Sequence, residues 1–222
     1  MSYNIAIDGP AGAGKSTIAK KVAKELGFIY VDTGAMYRAI ALYLLRNQID
    51  AEDEDGISKA VEQIEVKISY ENKEQQVFLN GENVSGLIRT EEVGKMASAG
   101  AKNKMVRQKL LELQRNLAQE ENVIMDGRDI GTHVLPGADV KIYLTASSKE
   151  RANRRYKELQ EKGIDCKLSE IEADIIARDE QDMNREIAPL KQAEDAVLVD
   201  SSNMSIDEVV DKIISIFKGA TE

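Results

Sequence analysis

The segment Gly9-Pro10-Ala11-Gly12-Ala13-Gly14-Lys15-Ser16 matches the pattern G-x-x-x-x-G-K-[ST]. It follows the apolar run Ile5-Ala6-Ile7-Asp8 and precedes the helical pattern Thr17–Leu26. Glycines let backbone N–H groups converge on phosphate oxygens, and the helix N-terminus adds partial positive charge. We therefore expect a bound nucleoside triphosphate, with Lys15 reaching its β- and γ-phosphates and Ser16 as a ligand of Mg²⁺. The alternative, a glycine-rich turn that binds nothing, is disfavoured by the strand and helix on either side.

Five short apolar segments predict the strands of a central sheet. They do not alternate polar with apolar residues, and helix-length segments separate most of them. Strands of this kind are buried on both faces, which indicates a parallel sheet covered by helices and hence an α/β fold. The predicted strands are Ile5–Asp8, Ile29–Asp32, Val123–Asp126, Val140–Leu144 and Ala196–Asp200. The predicted helices are Thr17–Leu26, Ala35–Asn47, Glu91–Gln119, Lys149–Lys162, Ser169–Arg185 and Ile206–Lys218.

Residues 62–86 follow a different pattern. Apolar and polar residues alternate in Val66-x-Ile68-x-Tyr70 and in Val77-x-Leu79, and Asn80-Gly81 is a hairpin turn signal. This pattern predicts a small antiparallel β insertion in the α/β core. Since no low-complexity linker sets the insertion apart, we expect a single domain over residues 1–222.

Composition excludes several classes of protein. The 222 residues carry 30 Lys+Arg against 39 Asp+Glu, a net charge of −9, with one His and one Cys. Because Cys166 is alone, neither a disulfide framework nor a thiolate metal cluster can form. The acidic balance disfavours nucleic-acid polymers and membrane surfaces as partners. The apolar run Ala39–Leu45 is too short for a membrane span and residues 1–4 lack a signal pattern, so we expect a soluble cytoplasmic protein.

Four further segments could bind a second, phosphate-bearing ligand. Asp32–Arg38 and Asp126–Gly131 each follow a predicted strand, at the edge where open α/β folds bind ligands. On predicted helices, charged residues recur three and four positions apart, namely Arg151, Arg154 and Arg155, and Arg178, Asp182 and Arg185. Each segment also has a simpler interpretation: a helix start, a surface turn, or a solvated face with ion pairs.

Taken in order along the chain, these segments resemble the bacterial cytidylate kinases, within the nucleoside monophosphate kinase group of P-loop proteins. The resemblance covers essentially the full length. It implies a P-loop kinase core, a monophosphate-binding subdomain at residues 33–107 that contains the β insertion, and a short helical lid at 149–188. The segments that carry it are Ile5–Pro10, Asp32–Arg38, Val84–Thr90, Asp126–Gly131, Ala146–Arg155 and Arg178–Arg185.

The resemblance also implies roles for individual residues. The acceptor phosphate is held by Thr33, Tyr37, Arg38 and Arg128. The cytosine edge is read by Ser98, Arg107 and Asp129. Sugar and phosphate are contacted by Arg178, Asp182 and Arg185, with Asp182 accepting from a ribose hydroxyl. ATP is bound by Gly9, Pro10, Ala11, Gly12, Ala13, Gly14, Lys15, Ser16 and Thr17, with Arg151 and Arg154 from the lid. The catalytic cations are Lys15, Arg128 and Arg155.

Two departures from the family pattern bear on these roles. Thr33 stands where Ser is also common, which keeps the hydroxyl. Gln181 and Met183 stand where basic residues occur in the family, which reduces the positive charge near the lid.

The expected reaction is phosphorylation of CMP and dCMP by ATP with Mg²⁺, in pyrimidine nucleotide metabolism, by a monomer. A phosphate monoester has a second pKa near 6, so the acceptor needs no general base. Two alternatives remain at this point: a small-metabolite kinase with a hydroxyl acceptor, and a non-catalytic nucleotide sensor. A GTPase is disfavoured because the Asn103-Lys104 pair does not follow a strand. The sequence leaves open which of Asp32 and Asp126 orients the Mg²⁺ waters.

Overall fold

The computed structural model describes residues 2–72 and 74–221. Its strands are β1 Asn4–Asp8, β2 Ile29–Asp32, β3 Val66–Glu71, β4 Glu74–Leu79, β5 Glu82–Asn83, β6 Val123–Gly127, β7 Val140–Thr145 and β8 Val197–Asp200. Its helices are α1 Lys15–Leu26, α2 Thr33–Arg46, α3 Glu54–Gln63, α4 Glu91–Gly100, α5 Lys104–Glu120, α6 Ser148–Glu161, α7 Leu168–Asn184 and α8 Ile206–Thr221, with a π-helical turn at Ile130–Val134.

The chain divides into two compact units, each described by itself below. The first unit comprises Tyr3–Phe28 and the chain from Ile124 onward, and the second comprises Ile29–Val123. The large sheet has five strands in the order β2-β6-β1-β7-β8. Within the first unit, β1 pairs with β7 and β7 with β8, both in parallel. The predicted α/β fold with a five-stranded parallel sheet is confirmed.

Strand register places the functional loops of the first unit at one edge of the sheet. Asp8, the last residue of β1, lies opposite Tyr143 of β7, and Thr145 lies opposite Asp200 of β8. Because the strands are parallel, their carboxyl ends all meet at this edge, and the glycine-rich loop leaves β1 there. This edge is therefore the place where the first unit can collect polar side chains.

Helices cover the sheet of the first unit through apolar faces. In α1 the buried residues Ile18, Ala19, Val22 and Ala23 recur at helical spacing. In α8 the buried residues are Val209, Val210, Ile213 and Phe217, and the Phe217 ring meets that of Phe28 edge-on with centroids 5.4 Å apart. These helix faces pack on the sheet, in which the Ile5–Ile7 segment of β1 is inaccessible to solvent. Burial of this apolar surface stabilises the sheet and helices that carry the glycine-rich loop.

The second unit contains the predicted β insertion as a three-stranded antiparallel sheet in the order β3-β4-β5. Val66 pairs with Leu79 at one end of the first hairpin and Glu71 with Glu74 at the other. Asn80 and Gly81 form the two-residue turn between β4 and β5, with φ of 48° and 86°. Positive φ at both positions is what a tight hairpin of type I′ requires, so the turn signal is confirmed.

Several helical features differ from the sequence prediction. The predicted helix Glu91–Gln119 is interrupted: α4 ends at Gly100 and α5 starts at Lys104. Asn103 starts α5, since its side chain accepts from the N–H groups of Met105 at 2.8 Å and Val106 at 3.3 Å. The short helix α3 was not predicted, because it is mostly polar. Among the described residues, no helix is long and apolar enough to cross a membrane.

The Asn103 cap can be tested by stability. Replacing Asn103 with Ala leaves the first N–H groups of α5 without an acceptor, so we expect the free energy of unfolding to fall by about 1 kcal/mol. Urea denaturation followed by circular dichroism measures the change. Asn103→Asp is the matched control, since an aspartate caps a helix as well as asparagine does; an equal loss in both variants would contradict the capping role.

Candidate active site

The glycine-rich loop between β1 and α1 has a backbone that side chains would obstruct. A Cβ atom on Gly9 would overlap the carbonyl oxygen of Leu144 in the neighbouring strand β7. Gly12 has φ of 75°, in the left-handed region that glycine adopts without strain. The loop can therefore lie close to the sheet edge and present its N–H groups beside the start of α1, as an anion-binding loop requires.

Lys15, the first residue of α1, is buried at the base of this loop with only 7% of its surface exposed. Its Nζ donates to the carbonyl oxygens of Gly9 and Pro10, each at 2.8 Å. Burial lowers the pKa of Lys15 to about 7, and the positive charge of Arg128 acts in the same direction. A negatively charged phosphate beside this ammonium would reverse that effect, so the site favours a polyanion.

Ser16 and Asp126 bring two oxygen donors together near the loop. The Ser16 hydroxyl donates to Oδ2 of Asp126, the fourth residue of β6, at 2.7 Å. Hydroxyl and carboxylate oxygens are the ligands that Mg²⁺ prefers, and this ion commonly uses one or two of them together with substrate phosphates. Asp32 lies in the second unit, where it caps α2 through the Ala35 N–H and pairs with Arg89 at 2.7 Å. The oxygen donors of Ser16 and Asp126 therefore fit Mg²⁺.

Asp8 connects the end of β1 to the segment after β6. Its two carboxylate oxygens accept from the N–H groups of Ile130 at 2.8 Å and Gly131 at 2.7 Å. Burial raises the pKa of Asp8 to about 6, although the two backbone hydrogen bonds oppose the shift. This contact aligns the π-helical turn, and with it the preceding Arg128 and Asp129, beside the glycine-rich loop. The sequence analysis assigned no role to Asp8.

Two ion pairs join α7 and its C-terminal end to the segment after β6. Arg128 Nε donates to Oδ2 of Asp182 at 2.8 Å, and Arg185 Nη2 donates to Oδ1 of Asp129 at 3.0 Å. Asp182 and Asp129 are both buried. Two segments that were predicted separately are thus brought together. The alternative of a ladder along one solvated helix face is excluded, because Arg185 lies just past the end of α7 and both pairs cross to another segment.

Arg178 adds a third cation to this group. Burial lowers its pKa, and Arg128 acts in the same direction while Asp182 and Asp179 oppose it. Its Nε is buried without a hydrogen-bond partner among the residues that the structure describes. An anionic ligand would satisfy such a group, as expected for a residue that contacts phosphate.

The three arginines of α6 have different surroundings. Arg151 is buried and contacts the protein through all its nitrogen atoms, as described below. Arg154 donates to the carbonyl oxygen of Ser201 at 2.8 Å and to Glu150 at 3.0 Å. Arg155 is half exposed and pairs with Glu158 on the same helix at 2.8 Å. Of the three, Arg155 has the side chain most available to a ligand.

The second unit holds the other predicted acceptor residues. Arg38 Nη1 donates to the carbonyl oxygens of Ile88 at 3.1 Å and Thr90 at 3.3 Å. The guanidinium of Arg107 lies over the Tyr37 ring, 5.8 Å from its centroid, and Arg107 is 5% exposed. These contacts join α2 to α5 and to the segment that precedes α4. Thr33 begins α2 and Ser98 lies on α4.

The ion pair between Arg89 and Asp32 was missed by the sequence analysis, which quoted Arg89 only within a family segment. Two other residues were left without a role. His133 is exposed on the π-helical turn, and Cys166 is half-buried before α7. The backbone N–H of His133 donates to the carbonyl oxygen of Asp129 at 2.9 Å.

Comparison with known proteins supports one family. The family model for cytidylate kinase matches residues 5–219. The cytidylate kinases of Caldicellulosiruptor bescii and Shouchella clausii are each 50% identical to the chain, over 214 and 216 residues; these alignments cover 96% and 97% of this chain and 95% and 96% of the relatives. A solved structure of an uncharacterized protein from Eubacterium ventriosum superposes with a TM-score of 0.56 at 12% identity, covering 98% of this chain and 99% of that one.

The structural likeness at 12% identity concerns the fold alone, whereas the sequence matches extend through both units and through every segment of the site. The glycine-rich loop, the buried lysine and the paired arginines accordingly occur in a chain that is related along nearly its whole length to cytidylate kinases. The chain belongs to the cytidylate kinase family.

Proposed function

We propose that this protein transfers the γ-phosphoryl group of ATP to CMP and dCMP, forming ADP and CDP or dCDP. The observation that carries this proposal is the set of contacts that connects the loop to α7. Asp8 at the start of the loop accepts from the N–H groups of Ile130 and Gly131, and Arg128 of the same segment pairs with Asp182 on α7, so residues assigned to a triphosphate and to a second phosphate-bearing ligand are linked within the first unit. Family membership identifies that second ligand as a cytidine monophosphate.

ATP is assigned to the glycine-rich loop, with Lys15 beside its β- and γ-phosphates. Ser16 and Asp126 would hold Mg²⁺, which neutralises phosphate charge when bound. Arg154 and Arg155 belong to the lid region, residues 149–188. The hard oxygen donors around Ser16 support the choice of metal.

The acceptor is assigned to the residues that the resemblance to cytidylate kinases implies. In the first unit the acceptor phosphate and sugar are contacted by Arg128, Arg178, Asp182 and Arg185. In the second, residues 33–107 form the monophosphate-binding subdomain and contribute Thr33, Tyr37, Arg38, Ser98 and Arg107. Asp129 accepts from the exocyclic amine of cytosine; since it already accepts from Arg185, base binding adds to or replaces that contact.

The reaction requires positioning and charge neutralisation rather than proton removal. An oxygen of the acceptor phosphate attacks the γ-phosphorus in line, and the bond to the oxygen bridging the β- and γ-phosphates breaks to release ADP. Lys15, Arg128 and Arg155 stabilise the charge on the transferring group. The acceptor is largely ionised at neutral pH, so no general base is needed.

Three broader assignments accompany this activity. We place the protein in pyrimidine nucleotide metabolism, in the cytoplasm and as a monomer.

Substrate choice tests the proposal directly. In a coupled assay of ADP release with saturating Mg²⁺ and ATP, we expect turnover to be fastest with CMP and dCMP and much slower with UMP and AMP. Faster turnover with AMP or UMP would overturn the assignment of the base site. Turnover only with a hydroxyl acceptor, or with no acceptor in the panel, would support the alternative functions instead.

Proton uptake tests the position of Lys15. Because its pKa is lowered to about 7, a large share of Lys15 is neutral at pH 7.5, and phosphate binding should raise the pKa and draw in a proton. Calorimetric titration of Mg-ADP at pH 7.5 in buffers of different ionisation enthalpy measures this uptake. We expect a buffer-dependent enthalpy in the wild type that is lost in Lys15→Met. Equal buffer dependence in both proteins would contradict the assignment.

Asp182 should distinguish the two sugars. Asp182→Asn keeps the shape but weakens acceptance from a ribose hydroxyl, so we expect kcat/KM for CMP to fall about tenfold more than for dCMP. Asp174→Asn, an exposed change on the same helix, should alter neither. Equal losses for CMP and dCMP would show that Asp182 acts only through Arg128.

A further inference from the structure

Arg151 makes hydrogen bonds to three parts of the first unit. Its Nε donates to the Ala146 carbonyl oxygen at 2.9 Å and its Nη1 donates to the Ala11 carbonyl oxygen at 2.9 Å. Its Nη2 donates to Oδ2 of Asp179 on α7 at 2.6 Å. The side chains of Arg151 and Asp179 are only 6% and 9% exposed. Arg151 therefore joins the glycine-rich loop to α7 instead of extending into solvent as a free lid residue.

The stem of Arg151 also supports the loop. A Cβ atom at Gly12 would lie 3.4 Å from Cβ of Arg151, so the stem packs directly on the loop backbone. Together with the bond to Ala11, this contact constrains two successive loop residues. Any displacement of the guanidinium would thus change the backbone that is assigned to the phosphates of ATP.

Asp179 connects the other end of this arrangement to the acceptor residues. It lies on α7 between Arg178 and Asp182, and Asp182 pairs with Arg128. Oδ1 of Asp179 is buried and has no hydrogen-bond partner among the described residues, and its Oδ2 forms the ion pair with Arg151. Since a helix moves as a rigid element, a ligand held by Arg178 and Asp182 also sets the position of Asp179.

We propose that the Arg151–Asp179 pair couples acceptor binding on α7 to the geometry of the glycine-rich loop, an inference that rests on the proposed function. Arg151 is then a positioning residue, acting on ATP through the loop backbone. Coupling of this kind is reciprocal: CMP should tighten ATP binding by the same factor as ATP tightens CMP binding.

The coupling factor is measured on the full-length protein with a non-hydrolysable ATP analogue and Mg²⁺. The dissociation constant is determined with and without saturating CMP, and we expect CMP to tighten binding about fivefold or more in the wild type. Arg151→Met combined with Asp179→Leu removes both buried charges at similar volume and should bring the ratio close to 1. Asp179→Asn, which keeps an acceptor but loses the charge, should lower the ratio and provides the test if the double variant does not fold.

A matched control exists at the same pair of helices. The Ser148 hydroxyl on α6 donates to Glu172 on α7 at 2.9 Å. Glu172→Gln should leave the coupling ratio unchanged. The proposal is overturned by a wild-type ratio of 1, by an undiminished ratio in the variants of the pair, or by an equal loss in Glu172→Gln. A protein that turns over CMP with a ratio of 1 refutes this inference alone, whereas one that does not turn over CMP refutes the proposed function.

Discussion

The buried ammonium of Lys15 is the constraint around which the site is organised. A cation with so little solvent contact needs acceptors and negative charge nearby, and the chain supplies both. The carbonyl oxygens of Gly9 and Pro10 accept from it, while Asp126, Asp8 and Asp182 raise its pKa against the effect of burial. Each of those carboxylates comes from a different element, so holding the lysine requires β1, β6 and α7 to meet at one sheet edge.

The charged side chains at this edge form arginine–aspartate ion pairs whose guanidinium groups can bind a polyanion. Arg128 with Asp182 and Arg185 with Asp129 hold the guanidinium groups in place before any phosphate binds. Planar guanidinium groups fixed in this way can bind phosphate oxygens with little loss of side-chain freedom. The net charge of −9 is therefore compatible with an arginine-rich site, because the acidic excess is an average over the whole chain.

Prediction from the sequence succeeded where the pattern is local and strong. Buried strands such as Ile5–Asp8 and the alternation around Val66 were located because hydrophobic periodicity reports burial directly. The break between α4 and α5 was missed because apolar spacing continues across it, although the Asn103 cap was a usable signal. Arg185 was placed on the helix for a similar reason: its spacing fits α7, yet the helix ends at Asn184.

By itself the sequence determined the fold class, the glycine-rich loop, the β insertion and the family, because these depend on local periodicity, turn chemistry and ordered motifs. Only the tertiary structure decided the partners of the charged residues. Asp126 lies beside Ser16, and Arg151 bonds to Ala11 and Asp179. Such pairings join residues as many as 140 positions apart. The sequence around a charged residue does not indicate which distant residue will compensate the burial of its charge.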